Sequence, residues 1–348
     1  MAAERVAPLL LLCFTLAIPA TVALAEDATP TDTIARFSYE AGRGLRFGDT
    51  GLVMGGFTTA EFDALRHESA VGSLETVGLL FFFDPVPYIH LFSEIEAGPI
   101  LEVGGDQHGV HVDPIVDVDR LFVDLGSSDE IKLRFGQFRT PFGRWNVAPI
   151  EPLVWTTSEP LLVGEVFDEL SVGAMLHGSL FPSGGALSYS VYGTFLDDIS
   201  SDPEAPVRHA AGAHLEYATR SNLTLGASYF GSHTEDHGWN NLGGADFLWQ
   251  PHERIEISGE LLGGRGSRQQ GNVWGVYVQP VVETFRTVYL VTRYEHFDSS
   301  ELPTIDLFDV GVAWVPRPWL RLKADYQFAW PSEDPAEPGL HMSLSFLF

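Results

Sequence analysis

The chain has 348 residues, a formal net charge of −27, 45% hydrophobic residues, 19% charged residues and one cysteine, Cys13. So acidic a chain lacks the basic face that a nucleic-acid binder needs, which excludes nucleic acid as a partner, and a single cysteine excludes internal disulfides. The charged fraction is below the roughly 25% that is usual in soluble domains, yet residues 26–348 contain no apolar run of 18 residues that would predict a membrane helix.

Residues 1–25 are predicted to be a secretory signal peptide. Arg5 gives a positive start, residues 9–18 form an apolar run, and residues 23–25 read Ala-Leu-Ala, an A-x-A cleavage site. The alternative is an uncleaved membrane anchor, which the small-residue site and the two acidic residues after it disfavour. Residues 26–48 are predicted to be a periplasmic N-terminal lead-in.

Residues 49–348 are predicted to be an all-β, transmembrane, antiparallel up-and-down barrel. Apolar and polar side chains alternate in segments of about ten residues, the length of a strand that crosses a bilayer at a tilt of about 45°. In residues 320–328, for example, every even-numbered residue is apolar and every odd-numbered one is polar. Sixteen such strands are predicted: 51–62, 71–83, 88–103, 113–125, 130–139, 170–181, 186–196, 208–219, 222–232, 241–250, 255–264, 273–283, 288–297, 306–315, 320–329 and 340–348.

The links between these strands alternate in length. After each even-numbered strand the link is short and rich in turn residues, as in residues 84–87 and 316–319. After most odd-numbered strands it is longer and polar, as in residues 197–207, 233–240 and 265–272. Short links at one end and long links at the other are typical of an outer-membrane barrel with both termini in the periplasm. This alternation predicts a bacterial outer-membrane location.

The final segment of the chain predicts how the barrel closes. Met342, Leu344, Phe346 and Phe348 alternate with polar residues, so one face is apolar. In a closed barrel this strand pairs with the first one and leaves no edge, while its apolar face contacts lipid. A last phenylalanine after alternating apolar residues also resembles the assembly signal of bacterial outer-membrane proteins. That resemblance implies recognition of Phe346 and Phe348 by the outer-membrane assembly machinery.

The fourth predicted strand, residues 113–125, does not alternate cleanly. Asp117 and Asp119 fall on one face and Arg120 on the other, so a regular strand would direct a charge into lipid on either choice of face. A β-bulge that shifts the register would remove this conflict, and we expect one here.

The longest link, residues 140–169 between the fifth and sixth strands, is the main candidate for function. It exceeds the usual loop length, and its aromatic and aliphatic residues predict that it packs against something. As the third extracellular loop, it is expected to fold into the lumen and narrow the channel. The alternatives are a lid on the outer surface and a loop that binds a partner.

The stretch LRFGQFRTPFGRWN, residues 133–146, resembles a segment of the phosphate-selective porin O and P family of Gram-negative outer-membrane porins. The matching residues are Gly136, Gln137, Phe138, Arg139, Pro141 and Phe142. The resemblance implies the barrel fold and a channel role. Phosphate selectivity is not carried over, because a phosphate channel needs a lining of arginine and lysine, and this chain has only two lysines.

Alternation also predicts which charged residues line the pore. One interpretation is a plain solvated wall; the sharper one is a constriction in which carboxylates of the loop oppose cations of the wall and create a transverse field. The loop carboxylates are Glu151, Glu159 and Glu165, and the opposing cations are Arg134, Arg293, Arg321 and Lys323. The remaining predicted lining residues are Glu94, Glu96, Lys132, Arg139 and Arg144.

Metal and cofactor sites are not predicted. Residues 108–113 and 233–237 have only a weak metal-ligand spacing. Acidic residues in the predicted outer loops could hold divalent cations beside anionic outer-membrane lipid and lipopolysaccharide, or could serve solubility alone.

Taken together, the sequence predicts an outer-membrane porin, not an enzyme, through which small hydrophilic solutes or ions diffuse. No nucleophile-elbow, phosphate-binding or dinucleotide-binding motif is present. A homotrimer is expected by analogy. Two alternatives remain open: an outer-membrane hydrolase with an active site at the rim, and a non-conducting barrel that binds partners or lipid at the surface.

Overall fold

Sixteen antiparallel strands close into a ring in the computed structural model of the protein. The structure describes residues 37–105, 109–147, 150–196, 207–234, 238–266, 271–332 and 336–348, so the predicted signal peptide lies outside it. The strands are β1 (Phe37–Glu40), β2 (Gly44–Phe47), β3 (Leu52–Leu65), β4 (Val71–Val86), β5 (Ile89–Gly98), β6 (Leu101–Gly104), β7 (Gly109–His111), β8 (Ile115–Leu125), β9 (Lys132–Arg139), β10 (Leu170–Leu180), β11 (Gly185–Leu196), β12 (Val207–Thr219), β13 (Leu223–Thr234), β14 (Gly238–His252), β15 (Ile255–Arg265), β16 (Val273–Phe285), β17 (Val288–Ser299), β18 (Ile305–Arg317), β19 (Leu320–Trp330) and β20 (Gly339–Leu347).

The sixteen predicted strands correspond one to one with the barrel strands. The short strand β6 continues β5 along β4, so β5 and β6 together occupy one place in the ring. The short strand β7 pairs with β6 and precedes β8, so β7 and β8 together occupy the next place. The remaining strands, β1 and β2, form a hairpin in the lead-in region, and β2 pairs with the start of β3. The predicted all-β, sixteen-stranded barrel is confirmed.

Closure occurs between β20 and β3, as the final segment predicted. Ser343 lies opposite Glu61 and Phe346 opposite Thr58 in antiparallel register. The pairing extends to the last residue: the Phe348 amide donates to the Gly56 carbonyl oxygen at 2.8 Å, and the Gly56 amide donates to the Phe348 carbonyl oxygen at 2.9 Å. Closing the ring satisfies backbone groups that a hydrocarbon environment would leave without partners.

Alternation assigns the two faces of the wall. On β19, Lys323 and Asp325 are buried inside the barrel, whereas Phe328 and Trp330 are exposed outside. On β20, Met342 and Leu344 are 42% and 46% exposed, which places the predicted lipid-facing set outside. The outer surface is therefore apolar and the inner surface carries the charges.

Short turns lie at one end of the barrel, together with Phe348, and we call this the short-turn end. At the opposite end the predicted long link over residues 233–240 is wrong in extent. β13 runs to Thr234 and β14 begins at Gly238, so most of these residues continue the hairpin. Backbone pairing of polar residues beyond the alternating core explains this, because hydrogen bonds in a sheet do not require an apolar face.

The predicted bulge in the fourth barrel strand is confirmed. Opposite β5, Glu94 pairs with Arg120 and Ile95 with Val118, so Asp119 is the additional residue. The shift directs both Asp119 and Arg120 to the inside, where each forms ion pairs. No charge from these two residues is left on the outer face.

The described residues contain little helical structure. A 3₁₀ turn covers Glu151–Leu153 and α1 covers Leu161–Gly164, both within residues 140–169. Over the described residues, no helix has the length and apolarity needed to span a membrane.

Replacing Gly56 by valine should impair closure. A Cβ atom at Gly56 would lie 2.3 Å from the Gly78 carbonyl oxygen and 2.6 Å from the Phe348 ring. We expect the variant to lose about 1–3 kcal/mol of unfolding free energy, the usual cost of overpacking. The measurement is urea unfolding in detergent, with heat-modifiable gel mobility as the readout of the folded fraction. Gly243→Val on β14 is the control, because its Cβ would have no neighbour within 4 Å. Equal stability of the two variants would contradict this account of the seam.

Candidate functional site

The long loop between β9 and β10, residues 140–169, lies inside the barrel. Leu162, Val163, Val166 and Phe167 are at most 1% exposed and pack with inward-facing residues of the wall. The Phe167 ring centroid is 4.9 Å from that of Phe142 in the same loop. The predicted insertion of the loop into the lumen is therefore confirmed for the described residues.

An apolar inner surface receives the loop. Its residues come from eleven different barrel strands and are almost fully buried: Phe138, Met175, Tyr192, Ala210, Phe230, Leu242, Leu262, Val273, Tyr277, Phe297, Ile305, Leu307 and Ala329. Burial of one leucine or phenylalanine side chain contributes about 1.5–3 kcal/mol. This contact accounts for apolar residues that face inward although alternation leads us to expect a wet wall.

Arg293 on β17 fastens the middle of the loop. Its guanidinium donates to the Ser158 carbonyl oxygen at 2.8 Å and to the Ser158 hydroxyl at 2.7 Å, and it forms an ion pair with Asp309 at 2.8 Å. Arg293 has no exposed surface. It was predicted to face loop carboxylates across water, and it contacts the loop backbone directly instead.

Two cations of β19 hold the loop in the same way. Arg321 donates to the Val154 carbonyl oxygen at 2.7 Å, and its guanidinium lies 4.5 Å from the Trp155 ring. Lys323 forms an ion pair with Glu151 and donates to the Thr156 carbonyl oxygen at 2.9 Å. These contacts bring Glu151 together with Lys323, as predicted, but without a water-filled gap between them.

The first part of the loop is held by carboxylates of the wall. The Trp145 amide donates to Glu260 at 2.5 Å, and Glu260 also accepts from Tyr277 at 2.8 Å. Arg144 donates to Glu216 on β12 at 2.7 Å. Further along, the Leu162 amide at the start of α1 donates to Glu295 at 3.1 Å.

A cavity of about 510 Å³ remains on the wall from β8 to β12, which the loop covers less completely. Lys132, Arg134 and Arg139, all predicted as pore-lining residues, contribute to its lining. Arg120, His177, Ser190, His214 and Glu216 line it as well. More cationic than anionic side chains face this cavity.

Each cation of this wall has a carboxylate partner. Arg134 binds Asp124 through two hydrogen bonds of 2.7 and 2.8 Å, and Lys132 contacts Asp129 at 2.8 Å. The Arg134 guanidinium also lies 3.6 Å from the centroid of the Phe122 ring. Pairing of this kind fixes the direction of the side chains, and Arg134 and Lys132 keep 21% and 25% of their side-chain surface exposed.

The glycine–glutamine pair of the sequence motif supports the bulge in β8. Gly136 has a φ of +131°, and a Cβ there would lie 2.2 Å from the Leu121 carbonyl oxygen. The Gln137 side-chain amide donates to the Val118 and Asp119 carbonyl oxygens at 2.5 and 3.1 Å. Arg139 then binds Asp119 and Glu169, which joins the bulge to the end of the loop.

The other predicted carboxylates are spread over different surroundings. Glu94 is buried in an ion pair with Arg120, with Glu96 two residues further along the same face of β5. Glu165 ends α1 and is partly buried. Glu159 keeps part of its surface accessible to solvent and accepts no hydrogen bond from the part of the chain that the structure describes.

Glu159 has an unusual protonation equilibrium. Protein surrounds it on several sides, and this desolvation, followed by repulsion from Glu169, raises its pKa to about 8. Arg139 and Arg293 oppose the shift but do not cancel it. The shift favours the uncharged acid near neutral pH.

Sequence reasoning missed several residues of the lumen. Asp309, Asp246 and His214 are buried on the inner wall, and each lies at an inward position of an alternating strand. The alternation could have identified them. Arg120 could be found only through the bulge, because the regular register directs it outward.

Comparison with known proteins supports the fold. No family model matches the chain. An uncharacterised protein of Aquifex aeolicus is 22% identical over 339 residues, covering 79% of this chain and 75% of that protein. Among solved structures, Salmonella typhi OmpF in complex with daunomycin has a TM-score of 0.62 at 9% identity and covers 90% of this chain and 100% of its own. The anion-selective porin from Comamonas acidovorans has a TM-score of 0.59 at 10% identity, with coverage of 85% and 99%. These similarities define the class of fold, a sixteen-stranded porin barrel.

Replacement of Arg293 by methionine should destabilise the barrel with its loop. The variant leaves Asp309 as a buried charge without its partner, which costs about 3–5 kcal/mol. Urea unfolding in detergent measures the loss, and R293M/D309N should recover part of it because the second change removes the remaining charge. Arg254→Met, in an exposed turn, is the control and should change stability by no more than about 0.5 kcal/mol. If R293M were as stable as R254M, Arg293 would not be an anchor.

Proposed function

We propose that this protein is a bacterial outer-membrane porin that forms a water-filled channel for passive diffusion of small hydrophilic solutes or ions. The observation that carries the proposal is the inserted loop beside the cavity of about 510 Å³. A sixteen-stranded ring is wide enough to leave an aqueous path, and a loop inside it narrows that path without closing the barrel. The similarity to solved porin barrels supports the proposal at the level of fold.

The proposed path runs along the wall from β8 to β12. Lys132, Arg134 and Arg139 then act on passing solutes, whereas Arg293, Arg321 and Lys323 act by holding the loop. Glu159 lies on the loop at the lumen and contributes a charge that depends on pH. The phosphate-selective family resembled by residues 133–146 stays a prediction, as do the homotrimer, the periplasmic side of the short-turn end and contact with lipopolysaccharide.

Tryptophan at Ser190 should reduce the current through single channels. Ser190 lines the cavity from β11, and a tryptophan side chain would occupy much of that space. Val191, the next residue, is 52% exposed on the outer face, so Val191→Trp is a matched control. In planar bilayers we expect stepwise conductance from the wild type, smaller steps from S190W and wild-type steps from V191W.

Two outcomes would contradict this proposal. Silence of the wild type at high protein load would favour a non-conducting surface barrel, and hydrolytic activity lost on changing a rim histidine or serine would favour the enzyme. Conductance that is reduced equally by S190W and V191W would leave the barrel a channel but move the path away from this cavity.

Ion preference should change with pH through Glu159. Because its pKa is about 8, the carboxyl is neutral below that pH and becomes negative above it, so cation preference should rise between pH 7 and pH 9. Glu159→Gln should lack this part of the rise and resemble the wild type at pH 7. Reversal potentials in a salt gradient measure the ion preference of each variant, and Glu253→Gln in an exposed turn is the control. A difference between E159Q and wild type that is already complete at pH 6 would contradict the raised pKa.

A further inference from the structure

Three side chains with metal-binding atoms meet on the inner wall beside the cavity. His214 and Glu216 lie two residues apart on β12, and Asp246 lies on β14. One potential ligand atom from each residue falls within 4.8 Å of the others. Between them, β13 contributes Gly226, which is in register with both Glu216 and Asp246.

Gly226 lets the aspartate reach across the intervening strand. A Cβ atom at this position would lie 2.1 Å from an Asp246 carboxylate oxygen, so any larger residue would exclude the observed conformation. The carboxylate therefore extends over β13 toward His214 and Glu216.

Asp246 lacks the hydrogen bonds that a buried carboxylate needs. It is 4% exposed, and neither of its side-chain oxygens accepts a hydrogen bond from any described residue. Its carboxylate oxygens lie 3.5 Å from His214 Nε2 and 3.7 Å from Arg144 Nε. The His214 Nε2 atom also has no hydrogen-bond partner within the described part of the chain. Buried polar groups are normally satisfied, so these unpaired atoms are suited to binding a ligand.

The distances and the donor set fit a borderline divalent cation such as Zn²⁺. Ligand atoms bound tetrahedrally at the usual zinc distances are about 3.3–3.5 Å apart. His214 Nε2 and Asp246 Oδ2 have this separation, 3.5 Å. One imidazole and two carboxylates provide three protein ligands, which leaves the fourth position to water, as in open zinc sites. His214 and Glu216 also line the cavity, so an ion could enter from there.

Arg144 of the loop is a cation that already contacts the carboxylates of this cluster. Its guanidinium bonds to Glu216 and supplies one positive charge against two carboxylates, so the cluster keeps one excess negative charge when His214 is neutral. An incoming dication would compete with Arg144, because both are cations held by the carboxylates of Glu216 and Asp246.

We propose that His214, Glu216 and Asp246 form a binding site for a divalent transition-metal ion of the zinc type, in competition with Arg144. Metal occupancy is thereby linked to the contact that holds the first part of the loop. This inference goes beyond the proposed channel activity and does not depend on it.

The test is titration of the purified protein in detergent with Zn²⁺ against a chromogenic chelator. We expect one site per chain, with an affinity well above that of exposed acidic groups. His214→Ala and Asp246→Asn should each weaken it by more than about tenfold, the lower end of the loss seen when even a supporting residue of a metal ligand is removed. Arg144→Gln should instead tighten binding, because the competing cation is gone.

His177→Ala is the matched control. His177 lines the same cavity and contacts Asp124 at 3.3 Å. It should keep the wild-type affinity. Heat-modifiable gel mobility checks folding, and Glu216→Gln replaces either ligand variant, H214A or D246N, if it does not fold. The proposal is overturned if the wild type binds only weakly at many sites, if H214A and D246N retain full affinity, or if R144Q binds Zn²⁺ more weakly. The titration needs no conduction, so it is independent of the test of the channel.

Discussion

The packing of one loop against the inner wall is the interaction on which the lumen depends. Apolar side chains of residues 161–167 are removed from water by the strands around them, and Arg293 and Lys323 bind the loop backbone at its middle. Burial alone would leave the loop free to slide, because apolar contact has no direction. The cations add direction, since each donates to particular carbonyl oxygens. The loop therefore resembles the core of a soluble domain placed within a barrel.

This packing divides the inner wall into two parts with different tasks. Along β13 to β20 the charged residues are buried and serve structure, as Asp309 and Glu295 do. Along β8 to β12 the cavity keeps charged groups near solvent, with Arg134 as the clearest case. The same residue types thus occur in both parts, but in different surroundings. The proposed selectivity belongs to the second part, whereas the proposed metal site joins His214 and Glu216 of the second part to Asp246 on β14.

Much of the fold could be read from the sequence because a strand has a fixed period. Alternation identified all sixteen strands, and its failure at Asp119 and Arg120 identified the bulge. Alternation shows which side of the wall a residue faces, but it does not show which residue that side chain contacts. That Arg321 would bind the backbone at Val154 depends on how the loop crosses the lumen, which no local pattern encodes. The polar extensions of the strands near residue 234 were not predicted for a related reason. Backbone pairing there does not require alternating apolar residues, so the sequence carries no pattern that indicates it.

The position of the 3₁₀ turn at Glu151–Leu153 has a consequence for how the molecule assembles. This turn lies against β20 and β3, the two strands that meet to complete the ring, and Thr157 nearby approaches Ser343 of β20 at 3.4 Å. Such contacts exist only after those strands have met. Closure of the barrel and docking of the loop are therefore coupled, because the loop has no complete docking surface until β20 and β3 have paired.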